Sequence, residues 1–368
     1  MQLISISDTH YGISTDSGNV DDPISGINRR TQDGFQALDQ VVNYAIENDV
    51  KVLIHSGDVF DNKTPSQNVI NAFAERLKKL SDAGIHSYIL LGNHDASQRL
   101  VRKTGLDLMK TLDVPNVCVT RGGDILDLGW VQIASISYWY LPNEISAAVD
   151  EVASRIDWNR PAILVVHLQI EFAEFPGSFK EDLPFVPLTA LTRHKWAYVQ
   201  AGHIHRAQIL NQEPFVFYAG SLTRHSFAEE KDPKTFWLSE INDNNVVLPK
   251  QIPVECLRML TLKGTMEDIR AALKKAKPEN FVNVIVRVIV NTEKEDIDEK
   301  FFKTMFAQAF KSRISKEAKT KELKKMDANG LSSMKEYAES YFAKEPRKVE
   351  LMALLEEIRK TEESKAAE

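Results

Sequence analysis

The sequence predicts an α/β protein in which mixed sheets form a sandwich with helices outside. Three observations carry this reading. Short runs rich in β-branched and aromatic residues recur from residue 1 to about 255, bounded by Gly, Pro, Asn and Asp. Amphipathic stretches long enough for helices fill the gaps between the early runs. The later runs are separated by turns alone, so strands joined through helices and strands joined directly must share the same sheets.

In chain order, "QLISIS", "KVLIHS", "HSYILL", "NVCVT", "VQIASIS", "AILVVH", "WAYVQA", "FVFYA", "KTFWLSEI" and "NVVLPKQI" read as strands. Helices are expected over 31–48, 66–83, 98–112 and 143–157. The glycines and acids of "YGISTDSGNVDDPISGINRR" predict a long loop after the first strand. Near residue 257 the pattern changes. "LRMLTLKG", "TMEDIRAALKKAK", "ENFVNVIVRVIVN" and "DIDEKFFKTMFAQAFK" read β-α-β-α, with Thr265 as an N-cap and Asp268 at the capping-box position. The expected domains are therefore 1–256 and a small one over 257–312. Lys and Glu then dominate, with "DANG" as a break, so 313–330 reads as a linker and 331–368 as further helices. In "VELMALLEEIRK", Val349, Leu351, Met352, Leu354, Leu355 and Ile358 form a stripe. It packs on its own domain or docks a partner.

A chain of 368 residues with 43% hydrophobic content fills a large core and a smaller one. It holds no apolar run of about 18 residues, so no membrane span is expected. "MQLISISDTH" lacks a basic leader and reads as a first strand, not a signal. Two distant cysteines, Cys118 and Cys256, make no disulfide framework, and a reducing cytoplasm is the expected compartment. The formal net charge of −6 excludes a generally basic nucleic-acid binder. Any such role must use a local patch, metal ions or a partner.

Polar residues stand repeatedly just after a strand. Asp8 and His10 follow "LISIS", Gly57 and Asp58 follow "VLIHS", and Asn93 and His94 follow "YILLG". His167 ends "AILVV", and His203 and His205 follow "AYVQAG". Ligands in α/β sheets bind beyond the carboxyl ends of strands, so these residues should meet in one pocket. Asp8/His10 and His203/His205 are i,i+2 pairs, which extended backbone sends to the same side. Mixed carboxylate, amide and imidazole donors suit Mn, Fe or Zn better than Ca or Mg. With His94 set aside, the remaining seven side chains are too many for one ion and fit two, provided one carboxylate bridges. Asp58, after its glycine turn, is the expected bridge.

The ordered series Asp-x-His, Gly-Asp, Gly-Asn-His, His, Gly-His-x-His resembles the calcineurin-like metallophosphoesterase superfamily. "GDVFDNKTPS" (57–66), "AGIHSYILLGNHDASQRL" (83–100) and "YAGSLTRHSFAEE" (218–230) narrow the resemblance to the nuclease subunit of the SbcCD type. It covers residues 1 to about 240. It implies a four-layer αββα metallophosphoesterase sandwich, a DNA-capping role for the small α/β domain, and C-terminal helices that bind a coiled-coil ATPase. It implies that Asp8, His10, Asp58 and His205 hold one metal ion, and Asp58, Asn93, His167 and His203 the other, with manganese expected. His94 becomes the catalytic acid, oriented by Asp61. Expected DNA contacts are Arg99, Arg102, Lys103 and Arg224. The implied activity is a duplex 3′-to-5′ exonuclease and single-strand endonuclease that processes DNA ends in repair and recombination. A homodimer through helices near 66–112 is also implied. A small-molecule or protein phosphoesterase with the same metals is the first alternative, and a non-catalytic repair scaffold the second.

Overall fold

The computed structural model describes residues 1–15, 22–95, 103–136, 138, 142–175, 185–242, 245–292 and 297–317. Arg99, Arg102, most of the linker and the helices expected over 331–368 lie outside the described residues. The elements run β1 (Gln2–Ile6), α1 (Arg29–Glu47), β2 (Val52–His55), α2 (Gln67–Asp82), β3 (His86–Leu90), α3 (Asp107–Thr111) and β4 (Val117–Thr120). They continue as β5 (Ile125–Asp127), β6 (Gln132–Ile136), α4 (Pro142–Ala153), β7 (Ala162–His167), α5 (Leu188–Leu191), β8 (Tyr198–Gly202), β9 (Gln208–Gln212) and β10 (Phe215–Tyr218). Last come β11 (Thr235–Asn242), β12 (Asn245–Pro253), β13 (Arg258–Gly264), α6 (Met266–Leu273), β14 (Val284–Asn291), α7 (Glu299–Met305) and β15 (Lys311–Glu317).

Two six-stranded mixed sheets form, ordered β12-β11-β1-β2-β3-β4 and β5-β6-β7-β8-β10-β9. Side-chain alternation builds four layers from them. In β1 and β2, Ile4, Ile6 and Leu53 face α1 and α2, where Phe35, Leu38, Val41, Phe73, Leu77 and Leu80 are buried. Their neighbours Leu3, Val52 and Ile54 face the other way and meet Ile133, Ile163, Val165 and Phe217 between the sheets. In β7, Leu164 and Val166 point outward onto Ile145, Val149 and Val152 of α4. The result is the expected αββα sandwich. Each outer helix buries one stripe, in α2 at Val69, Phe73, Leu77 and Leu80, and Ser66 starts that helix by accepting from the Val69 amide.

The parallel core of the first sheet, β1-β2-β3-β4, and that of the second, β6-β7-β8-β10, expose their carboxyl ends along one edge of the sandwich. A parallel bridge between Ser7 and Ser221 links the segments that leave them.

A three-stranded sheet, β13-β14-β15, follows. Val286, Val288 and Phe302 fill its core with Ile269 and Leu273 of α6. Thr265 and Asp268 form the expected capping box. The third strand was not expected: β15 runs through the boundary drawn at residue 312 to Glu317. This sheet rests on the sandwich. Asp33 of α1 accepts from the Leu257 amide at 2.9 Å, Arg29 lies 4.6 Å over the Phe310 ring, and Arg287 lies 4.3 Å over the Phe227 ring. Among the described residues, no helix is long and apolar enough to cross a membrane.

Candidate metal centre

The ends of β1, β2 and β8 hand their polar residues to the same point through tight backbone turns. Asp8, His10, Asp58 and His203 all adopt positive φ, at 49°, 45°, 55° and 98°. Such a conformation costs a non-glycine residue about 1–3 kcal/mol and persists only where the surroundings enforce it. Four occurrences among seven expected ligands mark a site where backbone comfort yields to side-chain placement. The loops also interlock. A Cβ at Gly92 would lie 2.1 Å from Asp58 Oδ1, and one at Gly57 (φ 102°) would lie 2.4 Å from His167 Nδ1. Glycine at these two positions lets three strand ends share one space.

The seven expected ligands converge. Asp8, His10 and His205 place ligand atoms within 4.8 Å of one another, as do Asp58, His167 and His203. Asp58 Oδ2 lies 3.3 Å from His167 Nε2 and 3.7 Å from His10 Nε2, so one carboxylate touches both groups. Asn93 Oδ1 faces His167 Nε2 at 2.9 Å and His203 Nδ1 at 3.2 Å. His10 Nε2 and His205 Nε2 face each other at 3.2 Å. Two sets of nitrogen and oxygen donors overlap at Asp58, and this donor set fits two borderline divalent ions.

The electrostatics depend on Asp58. Burial works to raise its carboxyl, but His167 and then His10 hold it below the usual range. Burial works to lower the His167 ring, but Asp58 overrides it and the pKa rises to about 9. Burial drives His10 well below its usual value, against the pull of Asp58.

His94 stands beside both groups. Its amide donates to Asp58 Oδ1 at 2.8 Å, and its ring meets His10 edge-on with centroids 4.7 Å apart. His94 Nδ1 lies 2.8 Å from the backbone carbonyl of Asp61, which accepts from it and leaves Nε2 available. Asp61 thus meets the His94 ring through its main chain. The carboxylate lies instead 3.8 Å from His10 Nδ1. By distance alone His94 also groups with His10 and Asp58.

The expected DNA contacts fare differently. Lys103 is exposed. Arg224 is half-buried, and its guanidinium donates to the Leu257 and Asp232 carbonyls at 3.3 and 2.9 Å and meets Cys256 Sγ. It ties the sandwich to the segment entering the small sheet.

Sequence reasoning missed several residues around the expected ligands. Asp95 is fully buried. Its carboxylate accepts from the amides of Val59 at 3.1 Å, Phe60 at 2.8 Å and Gly92 at 3.0 Å. It pins the loop of Asp58 to the loop of Asn93. Burial, then Asp58, pushes its pKa up to about 7. Removing a partner from buried amides costs about 1–3 kcal/mol per group. Asp95→Ala is therefore expected to lower the thermal unfolding midpoint by several degrees or more, read by circular dichroism, and to weaken divalent-ion binding in parallel. His55, in the strand before Asp58, joins its Nε2 to Thr9 Oγ1 at 3.0 Å and receives the Gly57 amide at 3.2 Å. His225 reaches the Asp8 carbonyl at 3.0 Å through Nε2. The only sequence signal for these residues was their nearness to a motif.

Comparison with known proteins finds a family model and several relatives. The family model described as calcineurin-like phosphoesterase matches residues 1–207, more than half of the chain. A subunit of the nuclease SbcCD from Staphylococcus epidermidis is 24% identical over 62% of this chain and 66% of its own length. The DNA double-strand break repair protein Mre11 of Methanocaldococcus jannaschii is 25% identical over 70% of this chain and 67% of its own. That of Sulfurisphaera tokodaii is 27% identical over 78% and 73%. The chain thus spans about two thirds of the length of these relatives.

Proposed function

The chain belongs to the calcineurin-like phosphoesterase family, and from that premise we propose that it is a metal-dependent DNA nuclease with duplex 3′-to-5′ exonuclease and single-strand endonuclease activity. One observation supports the reading most: two donor sets overlap at Asp58 with His94 set beside them. The relatives named as a nuclease subunit and as break-repair proteins supply the substrate class.

Asp8, His10, Asp58 and His205 would hold one ion, and Asp58, Asn93, His167 and His203 the other, with Mn²⁺ as the expected metal. The chemistry such ions supply is Lewis acidity, which activates water and offsets charge at the non-bridging phosphate oxygens. The side chains do the rest. The glycine-bounded loops hold Asp58 where it serves both sets. His94, anchored through Nδ1 by the Asp61 carbonyl, presents Nε2 to the departing 3′ oxygen and gives it a proton. Such general acid help is worth typically 10²–10⁴-fold. Lys103 contacts phosphate, and so does a partner, because the chain's net charge of −6 leaves little sequence-independent attraction of its own.

Incubation with Mn²⁺, p-nitrophenyl phosphate and linear duplex DNA tests the substrate class. DNA is expected to be degraded; hydrolysis of the small ester alone would leave a phosphatase. In the same reading, residues 331–368 dock a coiled-coil ATPase, the small domain caps DNA, and helices near 66–112 form a homodimer. Deleting the residues after 330 is expected to abolish partner binding in a pull-down while sparing Mn²⁺-dependent cleavage. Loss of both would remove the division of labour.

A further inference from the structure

Glu229 and Lys234 form a buried ion pair that the mechanism above does not use. Their charged atoms lie 2.6 Å apart, and both side chains are at most 2% exposed. Burying such a pair is expensive and is often less stabilising than an apolar pair of the same shape. Its surroundings show what it serves. Glu229 Oε1 lies 3.2 Å from His205 Nδ1 and accepts the His225 amide at 3.3 Å, while Oε2 meets Ser221 Oγ at 3.2 Å. Lys234 Nζ also donates to Ser221 Oγ at 2.8 Å. The carboxylate is thus fixed on three sides and turned toward one imidazole.

We propose that Glu229 is a positioning residue for His205, resting on the reading of His205 as a metal ligand. Accepting the Nδ1 proton forces the lone pair onto Nε2, the nitrogen that faces His10 Nε2. A carboxylate behind a ligand histidine fixes both tautomer and ring direction. Lys234, 2.6 Å from Oε2, holds the carboxylate in place. The turn that carries Glu229 also carries Phe227, on which Arg287 of the small sheet is stacked, so docking of that sheet braces the same turn.

Removing Glu229 alone would strand a buried ammonium, so the test uses paired substitutions. Glu229→Gln/Lys234→Met keeps a carbonyl acceptor for His205 without charge. Glu229→Leu/Lys234→Met removes the acceptor. Mn²⁺ binding is followed by the electron paramagnetic resonance signal of free ion, and folding by circular dichroism. The wild-type chain is expected to bind two ions. The Gln/Met variant should stay within a few-fold of it. The Leu/Met variant should weaken one ion about 10–100-fold and leave the other unchanged. Equal affinities for both variants would overturn the proposal, whereas fewer than two ions on the wild-type chain would overturn the ligand reading beneath it. A measurement without folding variants stands beside this. Imidazole ¹⁵N spectra of the wild-type chain, with His205 assigned by its loss in His205→Gln, should show the proton on Nδ1. A proton on Nε2 would contradict the proposal.

Discussion

Asp58→Asn is expected to disable the centre most completely, because one carboxylate serves both donor sets. Asp58 Oδ2 approaches His167 and His10 from one position, and Oδ1 takes the His94 amide. An amide keeps the shape and the contact to His94 but loses the negative charge that lets a carboxylate bridge two cations. Bound metal contributes several kcal/mol to the transition state, and each ~1.4 kcal/mol is tenfold in rate. Cleavage should fall by roughly 10³-fold or more, with elemental analysis showing fewer than two ions per chain. The fold should survive, because Asp95 still holds the Val59, Phe60 and Gly92 amides. Full metal content with normal cleavage in this variant would show that Asp58 is not shared.

His94→Ala is expected to separate chemistry from binding. The ring is anchored to the Asp61 carbonyl, while Asn93 beside it faces His167 and His203, two of the expected ligands. Removing it should lower cleavage by about 10²–10⁴-fold while two ions remain bound. Metal loss would instead place His94 among the ligands, a grouping that its distance to His10 and Asp58 allows. Asp61→Ala sharpens the same point. If the anchoring contact is the main-chain carbonyl, this variant should retain far more activity than His94→Ala.

The convergence of the seven expected ligands was legible in the sequence because each is a polar residue at or just after the end of an apolar strand. The layers were legible because period-two alternation in β1, β2 and β7 leaves few other ways to bury both faces. The short edge strands β5 and β9 escaped notice. Ile125–Asp127 is only three residues long, and Gln208–Gln212 is mostly polar. The strand β15, "KSRISKE", reads as a charged linker; it forms by pairing at the edge of β14 and buries little of itself. Asp95 and Glu229 were illegible for another reason. Their partners are backbone amides at residues 59 and 60 and an imidazole at 205, contacts that only the folded chain brings together. The contacts of Arg224 were illegible for the same reason, since the carbonyls of Asp232 and Leu257 come to it only in the folded chain.

The most direct test follows the metal-free chain as Mn²⁺ is added, with release of nucleotides from end-labelled duplex DNA read alongside bound metal. Cleavage should be absent without metal, rise to its full rate only as the second ion binds, proceed from the 3′ end, and vanish on chelation. Full cleavage with one ion or with none, or two bound ions and intact DNA, would contradict a two-metal nuclease.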